Sequence, residues 1–213
     1  MGASERQALE EKSPWWGEHV HRYQVALPYL SKADSVLDIA CGTGFGSHML
    51  ADYVTQGEVI GGDVSQETLD ANNEQFRAVE NLRFEFTDAT DLDFEENHFD
   101  AITSFETLEH VEADSKMMAE LRRVLKPGGV LVLSTPNILI ASPTGEVKNP
   151  YHVREYTLRE LQEVILPAFP NAMFFGQHYA RYDKRRGAGS SVAKATESLF
   201  YQRGVRKLPI GIQ

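Results

Sequence analysis

The chain has 213 residues, 42% of them hydrophobic and 24% charged, with a formal net charge of −10. This is the composition of a globular protein of one domain, which excludes a disordered or fibrous chain and leaves room for a real core. The single cysteine, Cys41, excludes an intrachain disulfide and fits a reducing compartment.

In chain order, the opening MGASERQALEEKSPWW lacks the apolar core of a secretory signal. No apolar run approaches the roughly 20 residues a membrane-spanning helix needs, so a cytoplasmic protein is expected. Trp15, Trp16, His19, Val20, Tyr23 and Leu27 recur at three- and four-residue steps and predict a helix over 15–30, before and around Pro28. Residues 1–30 would then form a helical lid, with Trp15, Trp16, His19 and Tyr23 either covering a site or packing on a sheet. Alternation follows: strands over 35–40, 58–62, 82–86, 99–104 and 130–134, and helices over 45–53, 67–76 and 114–125. The last of these helices is stopped by Pro127 and the Gly128-Gly129 pair.

This alternation predicts an α/β protein with a Rossmann-like, doubly wound sheet of about seven mostly parallel strands and helices on both faces. Ligands in such sheets sit at the carboxyl ends of the strands, near the switch point beside the first one. Residues 136–156, with Pro136, Pro143, Gly145 and Pro150, read as a cap loop on the core, which spans 31–180. A helix over 157–166, a strand over 172–178 and a last antiparallel strand over 198–202 complete the expectation. Residues 181–213 hold eight Lys/Arg against Asp183 and Glu197, a local +6 on an otherwise acidic chain. They read as a basic tail or final strand, and the acidic body argues against a nucleic-acid partner, because phosphate binding needs clustered cations.

The richest stretch is VLDIACGTGFG, residues 36–46, where a short apolar strand breaks into Gly42, Gly44 and Gly46. Bare backbone at a strand-to-helix turn lets a nucleotide-like ligand lie against the peptide groups. The spacing is GxGxG rather than the GxGxxG of dinucleotide folds, and Asp38 lies within the strand, which favours S-adenosylmethionine over NAD. Asp63 follows Gly42 by 21 residues at the end of the next strand, the distance at which an acid meets ribose hydroxyls. Asp88 ends the third strand, where it can meet an adenine amino group.

With GGDVS, FTDATDL, HFDAITSFETLEHV and LRRVLKPGGVLVLSTPN in the same order, the chain resembles the class I S-adenosylmethionine-dependent methyltransferases over residues 35–137. By this resemblance Asp38 and the backbone of Ala40 to Gly44, Thr43 included, hold the methionine end of the cofactor. Asp63 binds the ribose with Val64 beside it, Asp88 and Ala89 frame the adenine, and Phe105 lies near the cofactor. EHVHRYQVALPYL and NPYHVREYTLRELQEVI look like bacterial methyltransferases of glycan and secondary-metabolite pathways.

Glu106, Glu109 and His110 would share one face of a helical turn beyond the fourth strand. His152 from the cap would join them as catalytic groups or as a metal set of Glu106, Glu109, His110 and His152. This ExxEH pattern resembles Mg²⁺-dependent methyltransferases of ubiquinone synthesis and of small-RNA ribose methylation. Without a metal, Glu106 would anchor the loop, and His110, with an ordinary pKa near 6.5, would take a proton from a hydroxyl.

The expected activity is O-methylation of a sugar or small-molecule acceptor. N-methylation of an amine, RNA ribose methylation and a non-catalytic cofactor-binding module are the alternatives, and a homodimer is left open.

Overall fold

A computed structural model describes residues 16–182 and 191–202. In chain order the elements are α1 (Trp16–Ala26), β1 (Ser35–Ile39), α2 (Phe45–Tyr53), β2 (Glu58–Asp63), α3 (Gln66–Gln75), β3 (Leu82–Phe86) and β4 (Phe99–Phe105). Then come α4 (Asp114–Val124), β5 (Leu125–Pro136), the short α5 (Ile138–Ala141), α6 (Leu158–Ile165), β6 (Ala172–Tyr182) and β7 (Ser191–Gln202). The strands form one seven-stranded sheet in the order β3-β2-β1-β4-β5-β7-β6. Strands β1 to β5 pair in parallel, and β7 runs antiparallel to both β5 and β6. The doubly wound sheet expected from the sequence is therefore present, with its switch point between β1 and β4.

Alternation along the central strands sends side chains to two cores. Leu37, Ile39, Ile102, Leu131 and Leu133 pack with Met117 and Leu121 of α4 and Leu161 and Ile165 of α6. Val36, Ala101, Val130 and Val132 pack on the other face with Tyr23 and Ala26 of α1 and Leu50 of α2. Asp38 has the parity of Val36 and so faces α1 and α2, a placement that decides its chemistry below.

Two expectations need correction. Strand β5 starts at Leu125 rather than Val130: its register with β4 jumps from Phe99↔Leu125 to Ala101↔Val130, so Lys126 to Gly129 form an irregularity inside the strand. Gly128 takes φ +83 there, and the Lys126 ammonium pairs with Asp100 at 2.8 Å. The cap loop also carries structure of its own, since the Asn137 side chain accepts from the Leu139 amide and starts α5. Helix α6 opens with a reciprocal capping box between Thr157 and Glu160. Trp15, the Trp16 side chain and most of the basic C-terminal residues lie outside the described residues.

Candidate active site

The turn after β1 is held by long-range side chains. Ala40, Gly42 and Gly44 take φ values of +56, +53 and +74. Asp63, at the end of β2, accepts the Gly42 amide at 3.1 Å and the Ser65 amide at 2.9 Å. From α3, the Asn72 amide donates to the Gly42 carbonyl at 2.7 Å. Each Asp63 oxygen retains a lone pair, so the carboxylate can hold the turn and still receive ribose hydroxyls.

Asp38 is entirely buried beneath this turn and receives three hydroxyls: Ser47 at 2.6 Å, Thr103 at 2.7 Å and Tyr23 at 3.2 and 3.3 Å to its two oxygens. Burial pushes its carboxyl up to about 6, against the pull of those donors. Asp38 therefore supports the turn from below, where the sequence resemblance has it touching the methionine end of the cofactor.

At the carboxyl ends of β2 and β3, two acids alternate with two exposed apolar side chains. Val64 and Phe86 stand 61% and 60% exposed beside Asp63 and Asp88. Asp88 accepts the Thr90 amide and hydroxyl, each at 2.8 Å, which holds its carboxyl below the usual range. Ala89 is nearly buried, and Phe105 is buried with its ring 4.8 Å from that of Tyr23. Phe86 escaped the sequence reading because it looked like an ordinary strand residue; only its exposure marks it.

Beyond β4 the geometry departs from a helical turn. Glu106 takes φ +52 and precedes a 3-10 turn over Leu108–His110. That backbone aims Glu106 at its neighbours, where Ser134 donates to it at 2.7 Å and the buried Arg22 guanidinium lies 3.6 Å away. Glu106 thus leaves the expected face, while the donor atoms of Glu109, His110 and His152 come within 4.8 Å of one another.

Glu109 is buried, with the Thr135 hydroxyl on one oxygen at 2.8 Å and no hydrogen-bond partner on the other. Burial, reinforced by the charge on Glu106, raises its carboxyl well above the ordinary value.

The two imidazoles are fixed by their partners. A carbonyl can only accept, so the 2.8 Å contact of His110 Nδ1 with the Tyr151 carbonyl puts a proton on Nδ1, and the neutral imidazole then carries its lone pair on Nε2. His152 donates Nδ1–H to the buried Glu155 carboxylate at 2.9 Å and accepts the Asn149 amide on Nε2 at 2.9 Å. The rings meet edge to face at 4.9 Å. Backbone amides of Val153 and Arg154 both donate to the Glu109 carbonyl, which pins the cap to the 3-10 turn. Asn149, Tyr151 and Glu155 were missed in the sequence; the three-residue step from His152 to Glu155 was the available signal.

His19 accepts Arg22 on Nδ1 at 2.9 Å, and burial, with Arg22 adding, lowers its pKa from 6.5 to about 4. Between these values the unfolded chain binds a proton that the folded chain refuses, so His19 subtracts stability as pH falls through the window. We therefore expect His19→Gln to gain stability relative to the parent at about pH 4.5 but not at about pH 7.5. Denaturant melts at the two pH values check this, and an equal difference at both would contradict it.

Residues 37–133 match the family model described as a methyltransferase domain. A probable S-adenosylmethionine-dependent methyltransferase of Mycolicibacterium smegmatis is 30% identical over 197 residues, covering 90% of this chain and 74% of the relative. The chain belongs to the S-adenosylmethionine-dependent methyltransferases. A second relative of this methyltransferase, from Mycobacterium tuberculosis and described in the same words, is 28% identical over 185 residues, 84% of this chain and 65% of the relative. The YcgJ protein of Bacillus subtilis shares the fold, with a TM-score of 0.69 at 20% identity over 89% of this chain and all of that one. Among the described residues of the methyltransferase, no helix is long and apolar enough to cross a membrane.

Proposed function

We propose that this methyltransferase acts on a hydroxyl of a sugar or small metabolite and that His110 is its base. The observation that carries this is the tautomer of His110: the Tyr151 carbonyl holds Nδ1–H, so Nε2 is the acceptor. S-adenosylmethionine, when bound, supplies a methyl group on a sulfonium that leaves as a neutral thioether. The backbone of Ala40 to Gly44, with Thr43, takes the methionine end, and Asp63 takes the ribose hydroxyls. Val64 and Phe86 offer apolar faces to the adenine, with Asp88 and Ala89 at its rim. Phe105 backs the pocket from the end of β4. His110 Nε2 then accepts the proton lost by the acceptor oxygen as the carbon–oxygen bond forms. Alignment and proton removal are the protein's share of the work.

The cluster of Glu109, His110 and His152 favours a second reading, in which these residues hold a divalent cation. Mg²⁺ does not fit them. It prefers oxygen ligands, whereas two of these three groups are imidazoles and Glu106 is engaged by Ser134 and Arg22. Two imidazoles and one carboxylate suit a borderline ion such as Mn²⁺, Co²⁺ or Zn²⁺, which would take the unpartnered buried oxygen of Glu109 and, in place of the Asn149 amide, His152 Nε2.

A cation on His110 Nε2 would also occupy the lone pair that proton transfer needs, so the two roles exclude each other at one moment. Calorimetry with Co²⁺ and Mg²⁺ separates them. The second reading expects Co²⁺ binding that His152→Ala abolishes, with Mg²⁺ binding at least tenfold weaker. Equal binding of the two ions, or none, would contradict it.

A further inference from the structure

Tyr23 ties three segments together from a helix that precedes the whole sheet in sequence. Its hydroxyl spans both oxygens of buried Asp38 on β1, at 3.3 and 3.2 Å. Its ring meets Phe45, the first residue of α2, at 5.4 Å and Phe105, the last residue of β4, at 4.8 Å, both edge to face. The same ring fills the space above Gly46: a Cβ there would lie 1.8 Å from Tyr23 Cζ and 2.3 Å from its hydroxyl oxygen. The third glycine of the motif is thus small to admit an aromatic ring from α1. One residue earlier on that helix, Arg22 reaches Glu106 beyond β4.

We propose that Tyr23 is a positioning residue of the cofactor turn, a key that α1 inserts between the glycine motif and the end of β4. The inference rests on the assignment of residues 38–46 to S-adenosylmethionine. Ala40 holds left-handed backbone at φ +56, a conformation that in a residue with a side chain persists only when its surroundings over-determine it, and Gly42 and Gly44 continue the same turn at φ +53 and +74. Tyr23 supplies part of that constraint from above Gly46 and beneath the turn through Asp38. Helix α1 is then a fixed part of the cofactor site, and the loss of Tyr23 would loosen the turn.

The test is a cycle of S-adenosylhomocysteine affinities, measured by calorimetry on the full chain at a temperature where near-ultraviolet dichroism shows every variant folded. Tyr23→Phe keeps the ring and removes the donor, and binding is expected to weaken severalfold, with the roughly tenfold worth of one hydrogen bond to a charged group as the ceiling. Gly46→Ala is expected to weaken it by at least as much, because the new methyl displaces the ring. In a Tyr23→Leu background the same Gly46→Ala change is expected to cost less than about twofold, since the ring it would strike is gone. Unchanged affinity in Tyr23→Phe, or a Gly46→Ala loss undiminished by Tyr23→Leu, would overturn the interlock. Should Gly46→Ala fail to fold, Tyr23→Phe decides alone. Asp63→Ala separates the two levels: if it too binds at parental affinity, the cofactor assignment itself fails.

Discussion

Gly44→Val is expected to reduce affinity for S-adenosylhomocysteine at least a hundredfold, on the order of 3 kcal/mol. The residue sits at φ +74, where a β-branched side chain is strained by about 1–3 kcal/mol whatever space it finds. Here it finds none: a Cβ would lie 2.7 Å from Cζ of Phe84 and 3.0 Å from Cε2 of Phe76, both buried. The backbone can only escape by rotating out of the left-handed region, and that rotation moves the Gly42 and Gly44 peptide groups on which the ligand would lie. Gly44→Ala keeps part of the strain without the β-branch and is expected to fall between the two in affinity. Calorimetry gives the affinities and a thermal melt accounts for lost stability. Parental affinity in Gly44→Val would separate the turn from the cofactor.

His110→Ala is expected to lower turnover by roughly a hundred- to ten-thousand-fold while S-adenosylhomocysteine affinity stays within about twofold. The imidazole is fixed at Nδ1 by the Tyr151 carbonyl, so Nε2 is directed rather than averaged over rotamers. Removing it leaves alignment intact and deletes the proton acceptor. An amine acceptor, which can lose its proton before attack, would instead leave turnover nearly unchanged. The split between kcat and cofactor affinity in His110→Ala therefore tells oxygen from nitrogen chemistry as well as testing the base.

Much of the scaffold was legible because its signals are local. The apolar strand over Val36 to Ile39, its glycine turn and the alternation of strands with helices depend on neighbours within one element, and β3 and α2 appear with the bounds that periodicity gives. The polar contacts that give the site its character were illegible for the opposite reason. Tyr23 meets Asp38 across 15 residues, and His110 meets the Tyr151 carbonyl across 41. Neither pairing leaves a periodic trace. The expected face of Glu106, Glu109 and His110 failed because helical spacing was assumed where Glu106 carries left-handed backbone and a 3-10 turn follows. The three hydroxyls that surround Asp38 were illegible too, because sequence shows the carboxylate and not its partners.

The most direct measurement is a crystal structure of the protein with S-adenosylhomocysteine. The account predicts ribose hydroxyls within hydrogen-bond distance of the Asp63 carboxylate, the adenine between Val64 and Phe86 with Asp88 at its edge, and the sulfur on the side of His110. A nucleoside bound elsewhere, with Asp63 still holding only the Gly42 and Ser65 amides, would contradict it.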